Sequence, residues 1–111
     1  MTTRPEKYCY DAYVVRVIDG DTLVLDIDLG LRVWARGQHV RLLGIDMPER
    51  VTTLGILATS QLSDLVYSRN VLVRTQKDRD DKYGRLLATV WVGDTHVNET
   101  MRRWLDERTS Q

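Results

Sequence analysis

The chain has one cysteine, two prolines and no phenylalanine, and its sixteen acidic residues balance its sixteen basic ones. A single cysteine, Cys9, excludes an internal disulfide and any metal centre held by a cysteine cluster. The zero net charge excludes the overall basic surplus that proteins with many phosphate contacts usually have. Any recognition of phosphate must therefore come from a few locally placed arginines or lysines.

Long apolar runs are also absent, both of transmembrane length and of the kind found in signal peptides. The sequence therefore predicts a cytoplasmic chain with no membrane partner, and it is also compatible with secretion of a longer precursor. At 111 residues the chain has the size of one domain. We predict a single domain over 1–111, with short flexible ends near 1–7 and 108–111.

The first half of the chain has the pattern of β-strands. Residues from Tyr8 to Ile45 are rich in β-branched and aromatic side chains, and Asp19-Gly20 is a strong tight-turn pair. The segment Thr22 to Leu29 then alternates, which predicts one buried face made of Leu23, Leu25, Ile27 and Leu29. A third strand is predicted over Val40 to Ile45, before Pro48.

The second half mixes helix and strand. Apolar residues recur at helical spacing between Thr52 and Arg69, with Thr52 or Thr53 available as N-cap; they are Ile56, Leu57, Leu62, Leu65 and Val66. Two more strands are predicted, over Val71 to Val73 and Leu86 to Val92, joined by the charged loop KDRDDKYGR. A short helix should follow over Val97 to Arg108, with Asn98 as its cap.

This order of elements predicts a mainly β protein with α-helices, of the α+β class. Five strands with one long helix after the third match a Greek-key barrel of OB type, although periodicity alone also permits an SH3-like barrel.

Charge is concentrated in three short segments at strand ends. VIDGDT places Asp19 and Asp21 on either side of a glycine. RLLGIDMPE begins with Arg41 and places Asp46 and Glu49 on either side of a proline. DKYGR is the third segment. Each alone is most simply a polar turn, because aspartate and glycine are common there. Their occurrence together is much harder to explain as three unrelated turns.

Combined, the three segments hold the parts needed to hydrolyse a phosphodiester. Arg41 and Arg85 would supply forked donors that match phosphate oxygens. The carboxylates of Asp21, Asp46 and Glu49 would supply hard oxygen ligands for a divalent cation and a site for water. The arginines would then stabilise the charge that develops in the transition state.

The motifs IDGDT, RLLGIDMPE, DKYGR and VNE, in this order from Tyr10 to Leu105, resemble the staphylococcal nuclease (thermonuclease) family. The resemblance implies a five-stranded OB-type barrel and a Ca²⁺-dependent endonuclease that cleaves DNA and RNA, prefers single strands and leaves 3′-phosphate ends. It assigns Ca²⁺ binding to the side chains of Asp21 and Asp46 and to the backbone carbonyl of Met47. Asp19 would lie next to these ligands without binding Ca²⁺ itself.

The same resemblance assigns the remaining roles. Glu49 would orient or activate the attacking water, and Arg41 and Arg85 would contact the scissile phosphate. Lys82 and Tyr83 would hold a neighbouring phosphate. The alternatives are a catalytically weak or inactive member of the family that binds nucleic acid or protein, and an OB-type oligonucleotide binder. Neutral charge and few aromatic residues disfavour the latter.

The sequence departs from the family pattern in three places. Met47 stands where the family usually has threonine, and the connection from Glu49 to the helix is short. The sequence given ends at Gln111, before the family's final helix, which predicts uncovered apolar surface. We therefore expect either a weak homodimer or a helix folded back over the gap in a monomer; the dimer face would be Met101, Trp104 and Leu105.

Overall fold

The computed structural model describes residues 8–80 and 84–109, and the side chains of 77–80 are left aside. Within these ranges the chain forms six strands and two helices. In chain order they are β1 (Cys9–Asp19), β2 (Thr22–Gly30), β3 (Val33–Leu42), α1 (Thr53–Val66), β4 (Asn70–Asp80), β5 (Leu86–Val92), β6 (Thr95–His96) and α2 (Val97–Thr109).

The strands close into a barrel. Strands β1, β2 and β3 form an antiparallel meander, and β4 pairs with both β1 and β5. A short parallel pairing of β3 with β5, from Val40↔Leu86 to Leu42↔Ala88, closes the circle. The order around the barrel is thus β1, β2, β3, β5, β4, and the two-residue β6 extends β5. The predicted five-stranded, mainly β fold with two helices is confirmed.

The core lies inside this barrel and continues under both helices. Alternate residues of β2 point into it as predicted, and Leu23, Leu25 and Ile27 are buried. Leu29 was predicted on the same face but is 47% exposed, because it lies at the end of the strand beyond the barrel. Burying one leucine or valine side chain stabilises the folded state by about 1.5–3 kcal/mol. The buried side chains of the core together therefore supply most of the stability.

Strand β3 begins at Val33, earlier than the predicted Val40. In the sequence, the pair Arg36-Gly37 predicts a break before the third strand, but in the structure it is a bulge that bends the strand without ending it. Asp26 on β2 holds this bulge: its Oδ1 accepts from the Gly37 N–H at 2.9 Å, and its Oδ2 accepts from Arg36 Nη1 at 3.0 Å. Strand β4 likewise extends to Asp80, beyond the predicted Val73.

Asp26 gives a prediction for acid stability. The Gly37 N–H and the Arg36 guanidinium hold the pKa of Asp26 below its ordinary value of 3.8. Such a carboxylate stabilises the fold above its unfolded-state pKa, and the contribution is lost as pH falls through the depressed folded-state pKa. Asp26→Asn should therefore unfold at lower urea concentration than wild type at pH 7, and the difference should shrink towards pH 3. Asp106→Asn, an exposed change on α2, is the control, and a pH-independent difference would contradict the prediction.

Helix α1 begins where the sequence predicts and ends earlier. Thr52 is the N-cap, and its Oγ1 accepts from the Gly55 N–H at 2.9 Å. The helix stops at Val66, not Arg69, and Ser68 has a positive φ of 59°. Its buried stripe is Gly55, Ala58, Leu62 and Val66. Ile56 and Leu57 were predicted to face inward, but they lie off this stripe and are 58% and 51% exposed.

Helix α2 is anchored by Asn98, which does not act as the predicted cap. Its buried side chain accepts from the Val90 N–H at 3.0 Å and donates to the carbonyls of Leu43 and Ala88 at 2.9 and 3.1 Å. The capping acceptor is His96 Nδ1, which receives the Glu99 N–H at 3.1 Å. Neither α1 nor α2 is long and apolar enough to cross a membrane.

The inner face of α2 packs on the barrel. Met101 is fully buried, Trp104 is 8% exposed, and Leu105 packs half-buried against the same core. The face predicted for a weak homodimer, Met101, Trp104 and Leu105, is therefore covered within one chain, and self-association itself stays a prediction. The alternative, in which the helix folds back over the barrel, describes the observed packing.

Candidate active site

The charged segments meet in one open cleft of about 340 Å³. Strand β3 pairs with β2 at Thr22↔Arg41 and with β5 at Arg41↔Leu87, so Arg41 lies between the β1–β2 turn and the start of β5. All the predicted site residues that the structure describes line the cleft: Asp19, Asp21, Arg41, Asp46, Met47, Glu49 and Arg85. Lys82 and Tyr83 lie outside the described residues.

Asp21 is the most buried of the charged residues, at 6% exposure. Its Oδ2 accepts from the Met47 N–H at 3.1 Å and its Oδ1 from Thr22 Oγ1 at 3.0 Å. Burial raises the pKa of Asp21, the neighbouring Asp19 carboxylate raises it further, and the Met47 N–H partly opposes the rise. A desolvated carboxylate beside a second one gains from a cation that neutralises both.

Arg41 links the two predicted metal-binding aspartates. Its Nη2 donates to Asp46 Oδ1 and to the carbonyl of Ile45, both at 3.0 Å, and lies 3.6 Å from Asp21 Oδ2. The Asp46 side chain is 93% exposed, so this ion pair adds little stability. Its importance is geometric, because one nitrogen brings both carboxylates to the same point of the cleft.

The donor chemistry at this point suits a hard cation. Aspartate oxygens, backbone carbonyls and water are the ligands that Ca²⁺ prefers. Among the described side chains, those of 8–76 and 84–109, however, no three from His, Cys, Asp or Glu converge on one position. Asp21 and Asp46 would therefore need backbone carbonyl and water oxygens to complete the coordination of Ca²⁺.

Met47 contributes through its backbone and its packing. Its side chain is buried, and a Cβ placed on Gly20 would lie 3.0 Å from Met47 Cγ and 2.7 Å from Ala58 Cβ. The turn between Asp19 and Asp21 thus packs directly on Met47 and α1. A methionine at this position extends the core beneath the cleft, which explains how the chain accommodates this departure from threonine.

Glu49 is held in place by the start of α1. Its carbonyl accepts from the N–H and the Oγ1 of Thr52, at 3.0 and 2.7 Å, and its side chain is exposed in the cleft. A Cβ on Gly55 would lie 1.8 Å from that carbonyl oxygen, so only glycine permits this close approach. Gly55 was missed in the sequence, where its signal is a glycine at the third position of a helix.

We expect Gly55→Ala to be harmful even though alanine favours helix by up to about 1 kcal/mol over glycine. The added methyl must push the Glu49 backbone away, and such overpacking costs about 1–3 kcal/mol. Moving a group that acts in catalysis by about 1 Å costs roughly 10²-fold in rate. Urea unfolding and the rate of phosphodiester cleavage should both fall. Thr53→Ala, at an exposed position of the same helix turn, should change neither, and a stabilised, fully active Gly55→Ala protein would refute this reading.

Thr22 connects Arg85 to the buried aspartate. Thr22 is 2% exposed, its Oγ1 accepts from Arg85 Nη1 at 2.9 Å, and the same oxygen donates to Asp21 Oδ1. This hydroxyl fixes the arginine relative to the carboxylate. Its signal in the sequence is weak, a threonine directly after the Asp-Gly-Asp turn, and the alternation of β2 predicts it on the outer face.

The small closed barrel thus gathers carboxylates and two arginines in one cleft, a set of side chains suited to binding a phosphate group. The chain belongs to the family described as Staphylococcal nuclease homologue, whose model matches residues 39–103. The matched range contains Arg41, Asp46, Glu49 and Arg85 and begins after Asp21.

Individual relatives cover more of the chain. A thermonuclease of Staphylococcus intermedius is 36% identical over 79% of this chain and 53% of its own length. Protein ParB of Escherichia coli is 44% identical over 71% of this chain and 40% of its own. An uncharacterized endonuclease of Haemophilus influenzae is 40% identical over 79% of this chain and 46% of its own. The chain thus spans about half the length of the curated relatives it matches.

Proposed function

We propose that this chain is a Ca²⁺-dependent endonuclease that hydrolyses phosphodiester bonds in DNA and RNA and leaves 3′-phosphate ends. The observation that carries the proposal is the contact of Arg41 Nη2 with both Asp21 and Asp46, in a cleft that also holds Glu49 and Arg85. Membership of the nuclease family and the names of the relatives support it.

In this proposal Asp21, Asp46 and the Met47 carbonyl would hold Ca²⁺. The bound cation would neutralise phosphate charge and help to bind water. Glu49 accepts a proton from the attacking water, whose oxygen forms the new bond to phosphorus. The bond from phosphorus to the 5′-oxygen breaks, that oxygen takes up a proton, and the products are a 3′-phosphate and a 5′-hydroxyl.

The arginines stabilise the extra negative charge on the phosphate as the new bond forms. The described contacts of Arg41 all use Nη2, so its Nε and Nη1 N–H groups can donate to phosphate oxygens. Arg85 is oriented by its hydrogen bond to Thr22 Oγ1. It would donate to the phosphate from the side of the Asp21 carboxylate opposite Arg41. Contacts from Lys82 and Tyr83 to a neighbouring phosphate stay a prediction.

The test is incubation of purified protein with single-stranded DNA and RNA, in Ca²⁺ or in excess chelator, followed by end-group analysis. We expect internal cleavage only with Ca²⁺, and new 5′ ends that polynucleotide kinase labels without prior phosphatase treatment. Cleavage that persists in chelator would contradict the metal requirement, and new 5′-phosphates would contradict the assigned bond.

The second candidate is a catalytically weak or inactive domain that binds nucleic acid or protein. It is favoured by the convergence of only two carboxylate side chains on the Arg41 nitrogen, since one of them, Asp46, is almost fully exposed. The same incubation separates the two functions. Binding of single strands without new ends at any Ca²⁺ concentration would support the second.

A further inference from the structure

A second concave surface lies beside the cleft, between the end of β1 and the outer side of α1. It encloses about 500 Å³. We call it the β1–α1 groove, and the lining residues that matter here are Arg16, Ile18, Arg50, Ile56, Asp64 and Tyr67. None of them has a part in the proposed chemistry.

The groove and the cleft are lined at two places by residues that are neighbours in the chain. Ile18 precedes Asp19, which lines the cleft, and Arg50 follows Glu49, which also lines it. A long hydrogen bond of 3.4 Å from Arg50 Nη1 to the Ile18 carbonyl joins the two sides at this border. A strand that leaves the cleft on the side of Glu49 would therefore pass close to Arg50.

The groove offers the side chains that bind single-stranded nucleic acid. Ile56 and Tyr67 are 58% and 57% exposed, although apolar and aromatic side chains of this size are commonly covered. The charged side chains of the lining are two guanidinium groups, those of Arg16 and Arg50, and one carboxylate, that of Asp64. Sites for single strands combine local positive charge with aromatic and apolar surfaces for bases and sugars.

We propose that the β1–α1 groove binds the stretch of single-stranded nucleic acid adjacent to the scissile phosphate. Arg16 and Arg50 donate to its phosphates, and Ile56 and Tyr67 pack against its sugars and bases. Asp64 opposes binding through its negative charge. The inference rests on the proposed nuclease function and extends it by giving the enzyme a site for a longer strand.

The experiment measures binding of labelled oligothymidylates of about two to eight nucleotides by fluorescence anisotropy, in chelator so that the probe stays intact. Affinity of the wild type should rise with length. Arg16→Ala should weaken binding of the longest probe about three- to tenfold and reduce the slope of log K against log salt by about 0.7. Tyr67→Ala should weaken it without changing that slope, and Asp64→Asn should strengthen it.

Arg32→Ala is the matched control. It removes one exposed arginine at the β2–β3 turn, the opposite end of these strands from the Thr22↔Arg41 pair. It should leave the affinity for the long probe and the salt slope unchanged. If Arg16→Ala and Tyr67→Ala behave like Arg32→Ala, the groove does not bind the strand and the proposal is overturned.

Cleavage measurements separate this proposal from the proposed function. Each variant is assayed in Ca²⁺ with a dinucleotide and with the longest oligothymidylate. If wild type cleaves neither, the nuclease function fails, whereas the binding result still decides the groove. If wild type cleaves both, Arg16→Ala should lower the ratio of kcat/KM for the long substrate to that for the dinucleotide. An unchanged ratio would count against the groove alone.

Discussion

Asp21→Asn should abolish cleavage while leaving the barrel folded and, without divalent cation, more stable than wild type. Asparagine keeps the shape, and its amide can accept from the Met47 N–H and donate to Thr22 Oγ1, but it loses the charge that would bind Ca²⁺. A cation contributes several kcal/mol to a phosphoryl transition state, so kcat should fall about 10³-fold or more.

The gain in stability follows from the raised pKa of Asp21, which burial and the nearby Asp19 carboxylate produce. The ionised form is less favoured in the folded protein than in the unfolded chain. The contribution of Asp21 is therefore complete below its unfolded-state pKa and is lost as pH rises through the raised folded-state value. Asp21→Asn should unfold at higher urea than wild type at pH 7, and the two curves should converge near pH 3.

Asp46→Asn is the matched variant for this prediction. The Asp46 side chain is 93% exposed, so its replacement should remove activity to a similar extent without the gain in stability. Steady-state cleavage in Ca²⁺ and urea unfolding in chelator give the two readouts. Wild-type cleavage by both variants would show that neither carboxylate binds the required cation.

Arg41→Lys and Arg85→Lys should each lower kcat about 10²- to 10³-fold and change KM much less. A lysine has one point charge and cannot reproduce the fork with which a guanidinium meets two phosphate oxygens. Groups that stabilise charge appearing only in the transition state act on kcat. For Arg41 the loss should be larger. Its Nη2 already donates to the Ile45 carbonyl and to Asp46, so a lysine that kept these contacts would have no second nitrogen for the phosphate.

Two further variants sharpen this prediction. Thr22→Val keeps the volume of the side chain but removes the hydroxyl that orients Arg85, so kcat should fall by about 10- to 100-fold. Arg32→Lys, at the far end of β2 and β3, should leave kcat and KM unchanged. An arginine whose lysine variant keeps its kcat while KM rises steeply binds the substrate and does not act on the transition state.

The residues of the cleft could be predicted because chemistry marks them in the sequence. Charged side chains next to glycine or proline at strand ends are conspicuous, and Asp21, Glu49 and Arg85 were all found in this way. Thr22 and Gly55 were missed because their importance comes from contacts across the chain: a shared hydroxyl in one case and a 1.8 Å approach in the other.

The fold shows the same limit. Hydrophobic alternation predicted β2 and the barrel, since the pattern is local to one strand. In α1 the inward stripe contains Gly55 and Ala58, whose small side chains let the helix approach its neighbours. The sequence prediction rested on large apolar residues, so it included Ile56 and Leu57, which are exposed. The bulge at Arg36-Gly37 was mistaken for a strand end because it depends on Asp26 of the adjacent strand.

The side chain of Asn98 determines how the protein opens. Detaching α2 would leave the buried N–H of Val90 and the carbonyl of Leu43 without their amide partner, at about 1–3 kcal/mol each, whereas the carbonyl of Ala88 would keep its bond from the Leu43 N–H. Leu43 lies midway along the chain between Arg41 and Ile45. The Ile45 carbonyl accepts the hydrogen bond from Arg41 Nη2. Amide protons of α2, β5 and the loop after β3 should therefore exchange with solvent with one common opening free energy. Release of α2 from the barrel would then disorder the arginine in the cleft, so we expect the packing of α2 to set how long the site stays assembled.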